Sequence, residues 1–355
     1  MKITFPYLGP VLAYEKMFEL FGHQVVAPSP PTPRTIELGV KYSPEFICFP
    51  FKIILGSYLD AIHRGAELIV TSGGVGACRA GYFGALSEKI LNQLGYKVKV
   101  LVFDSIMNEF ATFYRQGQEI RNHKSIVQTL AILYLTIQLI FVLDKYEKKI
   151  SQLRPYEKVH GTCRRKWREI RTLLGGSNSL RDLRTHILRA DQLIQEIEIE
   201  PREDIIKIGL LGEIYMVMDG PMNEEFEEKL SSLGVQVVRY RYISQWLKNA
   251  VRPDYGLLKK ADRYLQYDLG GHERENIGHM IRFKELGYDG IIHLLPFGCM
   301  PELVTQTVIP KLMKDLDLPI LSLSLDEQTG WLNNQVRLEA FVDLLKNRKE
   351  LLKEG

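Results

Sequence analysis

What most constrains this chain is a recurring beat: a short apolar run, then an amphipathic run that stops at a glycine. Residues 3–8, 24–27, 68–71 and 97–103 read as strands. Residues 10–20, 52–64 and 81–94 read as helices, stopped by Gly22, Gly65 and Gly95. Glycine just past a helix accepts the left-handed conformation that closes it. The beat returns after residue 204, with strands at 205–211, 235–240, 290–294 and 320–323 and helices at 223–233, 271–286 and 337–346. Strands alternating with helices build parallel sheets with helices packed on them. Residues 105–203 carry no convincing strand and read as helices. The expected architecture is therefore α/β: two Rossmann-like parallel-sheet lobes, residues 1–104 and 204–355, with a helical insertion at 105–203.

Charge and composition narrow the partners. The net charge of +3 is too mild to demand a nucleic acid, so none is expected. The insertion does carry a basic stretch, including Lys158, Arg164, Arg165, Arg168, Arg171 and Arg184. A solvated face is its plainer reading; docking of an acidic partner or of CoA phosphates is the sharper one. Residues 125–143 hold no charge but do hold Gln128, Thr129, Thr136 and Gln138. Polar residues at helical spacing favour a core helix over a membrane span. Met1 runs straight into a strand, so a cytoplasmic protein without a signal peptide is expected.

The four cysteines are too few for a disulfide scaffold in a chain of 355 residues. Three share a setting. Cys48 lies in Phe46-Ile-Cys-Phe-Pro-Phe51, just ahead of a helix. Cys78 lies in Gly73-Gly-Val-Gly-Ala-Cys-Arg79, after a strand. Cys299 lies in Pro296-Phe-Gly-Cys-Met-Pro301, also after a strand. Loops at the carboxyl ends of parallel strands are where such sheets bind ligands. A helix start favours the thiolate that a metal requires. Gly74, Gly76 and Gly298 let the backbone approach a bulky group and offer N–H donors to it, and Arg79 could balance its negative charge. Inert buried thiols are the plainer reading. With no Cys-x-x-Cys pair, spacing alone leaves the metal open, zinc included. Cys163, inside the basic helices, lacks the strand-end setting and reads as incidental.

At these residues the chain resembles the acyl-CoA dehydratase activase-related proteins. They belong with the 2-hydroxyacyl-CoA dehydratase, benzoyl-CoA reductase and double-cubane cluster proteins. The matching stretches are Cys48-Phe-Pro-Phe-Lys52, Gly76-Ala-Cys-Arg-Ala-Gly-Tyr82, Gly212-Glu-Ile-Tyr215, Pro296-Phe-Gly-Cys-Met-Pro-Glu302, Asp326-Glu327 and Arg337-Leu-Glu-Ala-Phe-Val-Asp343. The resemblance implies a 4Fe–4S cluster on Cys48, Cys78 and Cys299, in the crevice between the lobes, with one iron open. It also implies an ATP-hydrolysing activator of the actin/sugar-kinase fold as electron donor, and an acyl-CoA or other small molecule as substrate. No phosphate-loop motif is present, so this chain is expected to accept electrons rather than hydrolyse ATP. The stretch after Glu327 departs from the family's acidic-glycine pattern. A double cubane would need two chains sharing the site, as in a homodimer. The alternative is a metal- or small-ligand-binding scaffold of the same fold without redox chemistry.

His272, at a helix start, is a candidate proton donor facing the crevice, although a locally satisfied helix-start histidine is the plainer reading. Glu302 is either a helix cap or an acid/base at the open iron. Glu213 and Tyr215 follow a strand of the second lobe, where substrate or partner contacts form.

Overall fold

The computed structural model describes residues 1–355 except 75–76, 104–109, 203, 219, 329–330 and 355, and no side chains at 220–225, 331–333 and 354. The first lobe runs β1 (Lys2–Thr4), α1 (Val11–Leu20), β2 (Gln24–Val25), α2 (Pro33–Tyr42), α3 (Phe49–His63), β3 (Leu68–Ser72), a short 3-10 turn (Arg79–Tyr82), α4 (Phe83–Gln93) and β4 (Lys99–Phe103). Four helices follow: α5 (Phe110–Arg121), α6 (Ile126–Leu153), α7 (Thr162–Gly175) and α8 (Leu180–Gln195). The second lobe runs β5 (Ile206–Gly212), α9 (Ile214–Met218), α10 (Gly220–Ser232), β6 (Val235–Arg239), α11 (Ile243–Val251), α12 (Tyr255–Ala261), α13 (Glu273–Glu285), β7 (Gly290–Pro296), α14 (Met300–Leu316), β8 (Ile320–Leu325) and α15 (Trp331–Glu354).

Each lobe is a four-stranded, all-parallel sheet. The orders are β2-β1-β3-β4 and β6-β5-β7-β8, so both lobes follow one plan. Helices cover both faces, which is why the central strands are apolar without alternation; every residue of β7 is buried. One core joins the lobes, holding Phe51, Leu55 and Tyr58 of α3 together with Ile208, Met216 and Leu294 of the second lobe. A fully buried side chain of this kind contributes about 1.5–3 kcal/mol. Helices α2 and α3 cross backbone to backbone. A Cβ on Gly39 would stand 1.7 Å from the Lys52 carbonyl oxygen, and one on Gly56 would stand 1.8 Å from that of Thr35. This crossing fixes the axis of α3, and with it the position of Cys48 at its start.

Every strand falls on an expected run. Helices α2, α9, α11 and α12 were not expected. Of the four prolines from Pro28 to Pro33, the last opens α2, where its missing N–H costs nothing. Thr32 and Thr35 complete a capping box there.

Helix α6 differs from its expected setting. In its first half Ser125, Gln128, Thr129 and Thr136 bond within the helix and its cap. Ser125 and Gln128 cap each other's backbone N–H groups at 3.2 and 2.9 Å, and Thr129 and Thr136 return their hydroxyls to the carbonyls of Ser125 and Ile132. Ile132, Leu135, Leu139 and Ile140 face the core, while Ile126, Val127, Leu130 and Tyr134 are exposed. By length and composition the helix could cross a membrane. Its second half is tied to the body instead. Tyr146 donates to Asp191 at 2.9 Å, Asp144 accepts from the Ser244 N–H at 2.7 Å, and Glu147 pairs with Arg239.

Asp144 carries a pH signature. Burial raises its carboxyl to about 6, with the Ser244 N–H opposing. The folded state thus holds this proton more tightly than the unfolded chain does. Stability from this group is full below about pH 4 and is lost as pH rises through about 6. Asp144→Asn keeps an acceptor for Ser244 and removes the titration. The unfolding free energy from urea titration should fall in the wild type between about pH 4 and 7 by about 2 kcal/mol more than in the variant.

Candidate metal centre

Three helical starts are occupied by cysteine. Cys48 caps α3, Cys78 caps the 3-10 turn at Arg79–Tyr82, and Cys299 caps α14, each with extended backbone. Two of them share a local design, cysteine followed two residues later by proline: Cys48-Phe-Pro and Cys299-Met-Pro. Proline at the second helical position removes one orphan N–H and leaves the third-position N–H facing the cap. No sulfur makes a cap hydrogen bond of normal geometry. The N–H groups of Phe51, Ala80 and Glu302 nevertheless point at the sulfurs of Cys48, Cys78 and Cys299 and favour their thiolates.

Arg79 ties the three loops together. Its guanidinium donates to the Phe46 carbonyl at 2.8 Å and to the Gly298 carbonyl. Those carbonyls precede Cys48 by two residues and Cys299 by one, and Arg79 itself follows Cys78. Gly298 has a φ of 73°, and a Cβ there would lie 3.6 Å from Arg79 and 4.0 Å from the Cys48 Cα. Loops that carry cysteines in both lobes therefore meet at the carboxyl ends of β3 and β7. Gly74 serves the same loop in another way. It crosses Gly81 so closely that a Cβ on Gly81 would stand 2.5 Å from the Gly74 carbonyl oxygen. Gly76 lies outside the described residues.

All four cysteines are free. Burial pushes the Cys48 thiol up to about 12 and raises Cys78 and Cys299 as well, and the Glu213 carboxylate adds to each. Alone, the three thiols hold their protons; a metal group's positive charge is what releases them. Among the described residues, no three His, Cys, Asp or Glu side chains are gathered to hold a single metal ion. The three sulfurs belong to loops that Arg79 joins, and thiolates are the usual ligands of iron–sulfur clusters.

Glu213 is the carboxylate nearest in effect to all three sulfurs. It follows Gly212 at the end of β5, donates its N–H to the Leu294 carbonyl at 3.0 Å and accepts the Met216 N–H at 3.0 Å. Burial raises it to about 7. Glu302 stands at the third position of α14, essentially without solvent. Its oxygens accept from Asn276 at 2.8 and 3.0 Å and lie 2.7 Å from His293 Nε2. With its lone pairs used in this way, Glu302 braces the start of the Cys299 helix. His272 caps α13, with Nδ1 held by Arg241 at 3.0 Å and Glu275 at 3.2 Å. Cys163 is buried elsewhere, in the core of the helical region, and is no part of this centre.

Sequence reasoning did not anticipate the latch beside the centre. Lys52, on the first turn of α3, is buried and pairs with Glu327 after β8 at 2.5 Å, joining the lobes. Both residues lie in the stretches that prompted the resemblance. Nor did it foresee His293. A histidine inside Ile291-Ile-His-Leu-Leu295 was the available signal, since a polar side chain in a wholly buried strand demands a partner. No protein-family model matches the chain, and no curated protein matches it either.

Proposed function

We propose that this chain is an iron–sulfur protein of the 2-hydroxyacyl-CoA dehydratase type. It holds a 4Fe–4S cluster on Cys48, Cys78 and Cys299 and accepts low-potential electrons from an ATP-hydrolysing activator. The observation that carries this reading is the meeting of the three cysteine loops around Arg79, while the fourth cysteine lies in another core. When bound, the cluster supplies one-electron chemistry at low potential. The chain's own residues supply the rest. Arg79 holds the loops in register and places a cation beside them. The first-turn N–H groups of Phe51, Ala80 and Glu302 stabilise negative charge on the sulfurs. Glu213, raised to about 7 by burial, can hold or release a proton near neutral pH beside the thiols. Lys52, four residues after Cys48, pairs with Glu327 and joins the lobes.

Support also comes from the way the recognised stretches converge. Cys48–Lys52, Gly212–Tyr215, Pro296–Glu302 and Glu327 are scattered along the chain but surround one place. Protein purified without oxygen should be brown. It should contain iron and acid-labile sulfide in equal amounts and show a spin-resonance signal on reduction. Colourless protein carrying stoichiometric zinc would sink this reading.

A further inference from the structure

Helix α6 is apolar on two opposite faces. Ile132, Leu135, Leu139 and Ile140 enter the body of the protein. Ile126, Val127, Leu130, Leu133, Tyr134 and Ile137 point away from it and are between 39% and 77% exposed. A helix that is hydrophobic all round is ordinarily covered on every side. Single exposed apolar side chains need no explanation. Six along about 18 Å of one helix do.

The pattern of the exposed face selects its cover. Ile126, Leu130, Leu133 and Ile137 follow intervals of four, three and four residues, the alternation of a coiled-coil seam. Their order, Ile-Leu-Leu-Ile, reads the same in both directions. With a second copy laid antiparallel, Ile126 meets Ile137 of the partner subunit and Leu130 meets Leu133 of the partner subunit. Val127 then flanks Tyr134 of the partner subunit. Such self-complementarity is what a two-fold interface requires. Residues 125–143 hold no charge, so the pairing sets no like charges against each other. The seam ends where Ile140 turns into the body. Over two copies these six side chains offer roughly the 1,000 Å² that a specific interface must clear. A lipid bilayer fits less well. Contacts of Asp144 and Tyr146 anchor the second half of α6, leaving about three turns free where a span needs roughly 20 residues. A helix lying on a membrane carries lysines and arginines beside its apolar face, and residues 125–143 have none.

We propose that this face is a homodimer interface. The first three turns of α6 pack antiparallel on the same turns of a second copy, with the two-fold axis between Leu130 and Leu133. The inference does not depend on the iron–sulfur reading.

Analytical ultracentrifugation of the full chain tests this. Wild type at roughly micromolar concentration should sediment as two chains. Leu130→Glu and Leu133→Lys should each sediment as one chain, with dimerisation weakened at least about a hundredfold, because each buries an unpaired charge in the seam. Both positions are exposed, so circular dichroism should match the wild type. Mixing the two variants should restore a dimer, since the antiparallel register sets the new glutamate of one chain against the new lysine of the other. If a variant unfolds, Tyr134→Arg replaces it in the mass comparison and should likewise give one chain. A monomeric wild type overturns the inference, and its flotation with phosphatidylcholine vesicles would assign the face to a membrane instead. Dimers in the folded variants overturn it too, by placing the interface elsewhere. A mixture that stays monomeric overturns the antiparallel pairing on which it rests.

Discussion

Gly212→Ala is expected to cost at least about 4 kcal/mol, placing it among the largest single-residue effects. Gly212 ends β5 with a φ of 140°, which side chains rarely adopt. A Cβ there would stand 1.9 Å from the Leu294 carbonyl oxygen on the neighbouring strand β7. Both strands are central and covered on both faces, so neither can yield. The same carbonyl accepts the Glu213 N–H, so relief of the clash must break that bond and displace Glu213 from the three thiols. Urea or thermal unfolding checks the size, with a melting temperature lowered by roughly 10 °C. Any folded remainder should also bind iron poorly. Unchanged stability would mean that β5 does not meet β7 in this way.

Arg239→Met should cost about 3–5 kcal/mol, because it strands buried charge. Arg239 is 3% exposed at the end of β6. It pairs with Glu147 at 2.5 Å and lies 3.5 Å from Glu227, which also meets Arg154 at 3.5 Å. Two arginines thus balance two glutamates where α6 lies against the second lobe. Methionine matches the volume and leaves one cation for two carboxylates. Arg239 also donates to the Val217 carbonyl at 2.9 Å, steadying the segment that carries Glu213. The double variant Arg239→Met, Glu147→Leu should recover part of the loss, since one stranded carboxylate is removed with its partner. Chemical denaturation of the three proteins measures this; no recovery would show that Arg239 acts through Val217 alone.

Much of the fold was legible because apolar runs and glycine stops are local signals. The eight strands and the insertion were read from them. Less legible were features that depend on distant partners. Nothing near Gly39 announces that Lys52 will cross it, and nothing near Lys52 announces Glu327. β1, β2 and β4 were read longer than they are, and β7 and β8 shorter. Residues 5–8 look like a continuation of β1, but pairing stops at Thr4 and the chain turns at Gly9. The three cysteines could be separated from Cys163 by their strand-end and helix-start settings. That Arg79 joins their loops required the folded contacts of its side chain. The polar residues of α6 misled because helix caps and back-bonded threonines look the same in sequence as contacts to a neighbour.

The central claim is that three particular cysteines, and not the fourth, hold an iron–sulfur cluster. Its most direct measurement is iron and acid-labile sulfide in anaerobically purified wild type beside Cys48→Ser, Cys78→Ser, Cys299→Ser and Cys163→Ser. The account predicts loss of most iron and sulfide in the first three variants and retention in the fourth. Iron retained in all four, or lost only in Cys163→Ser, would contradict it.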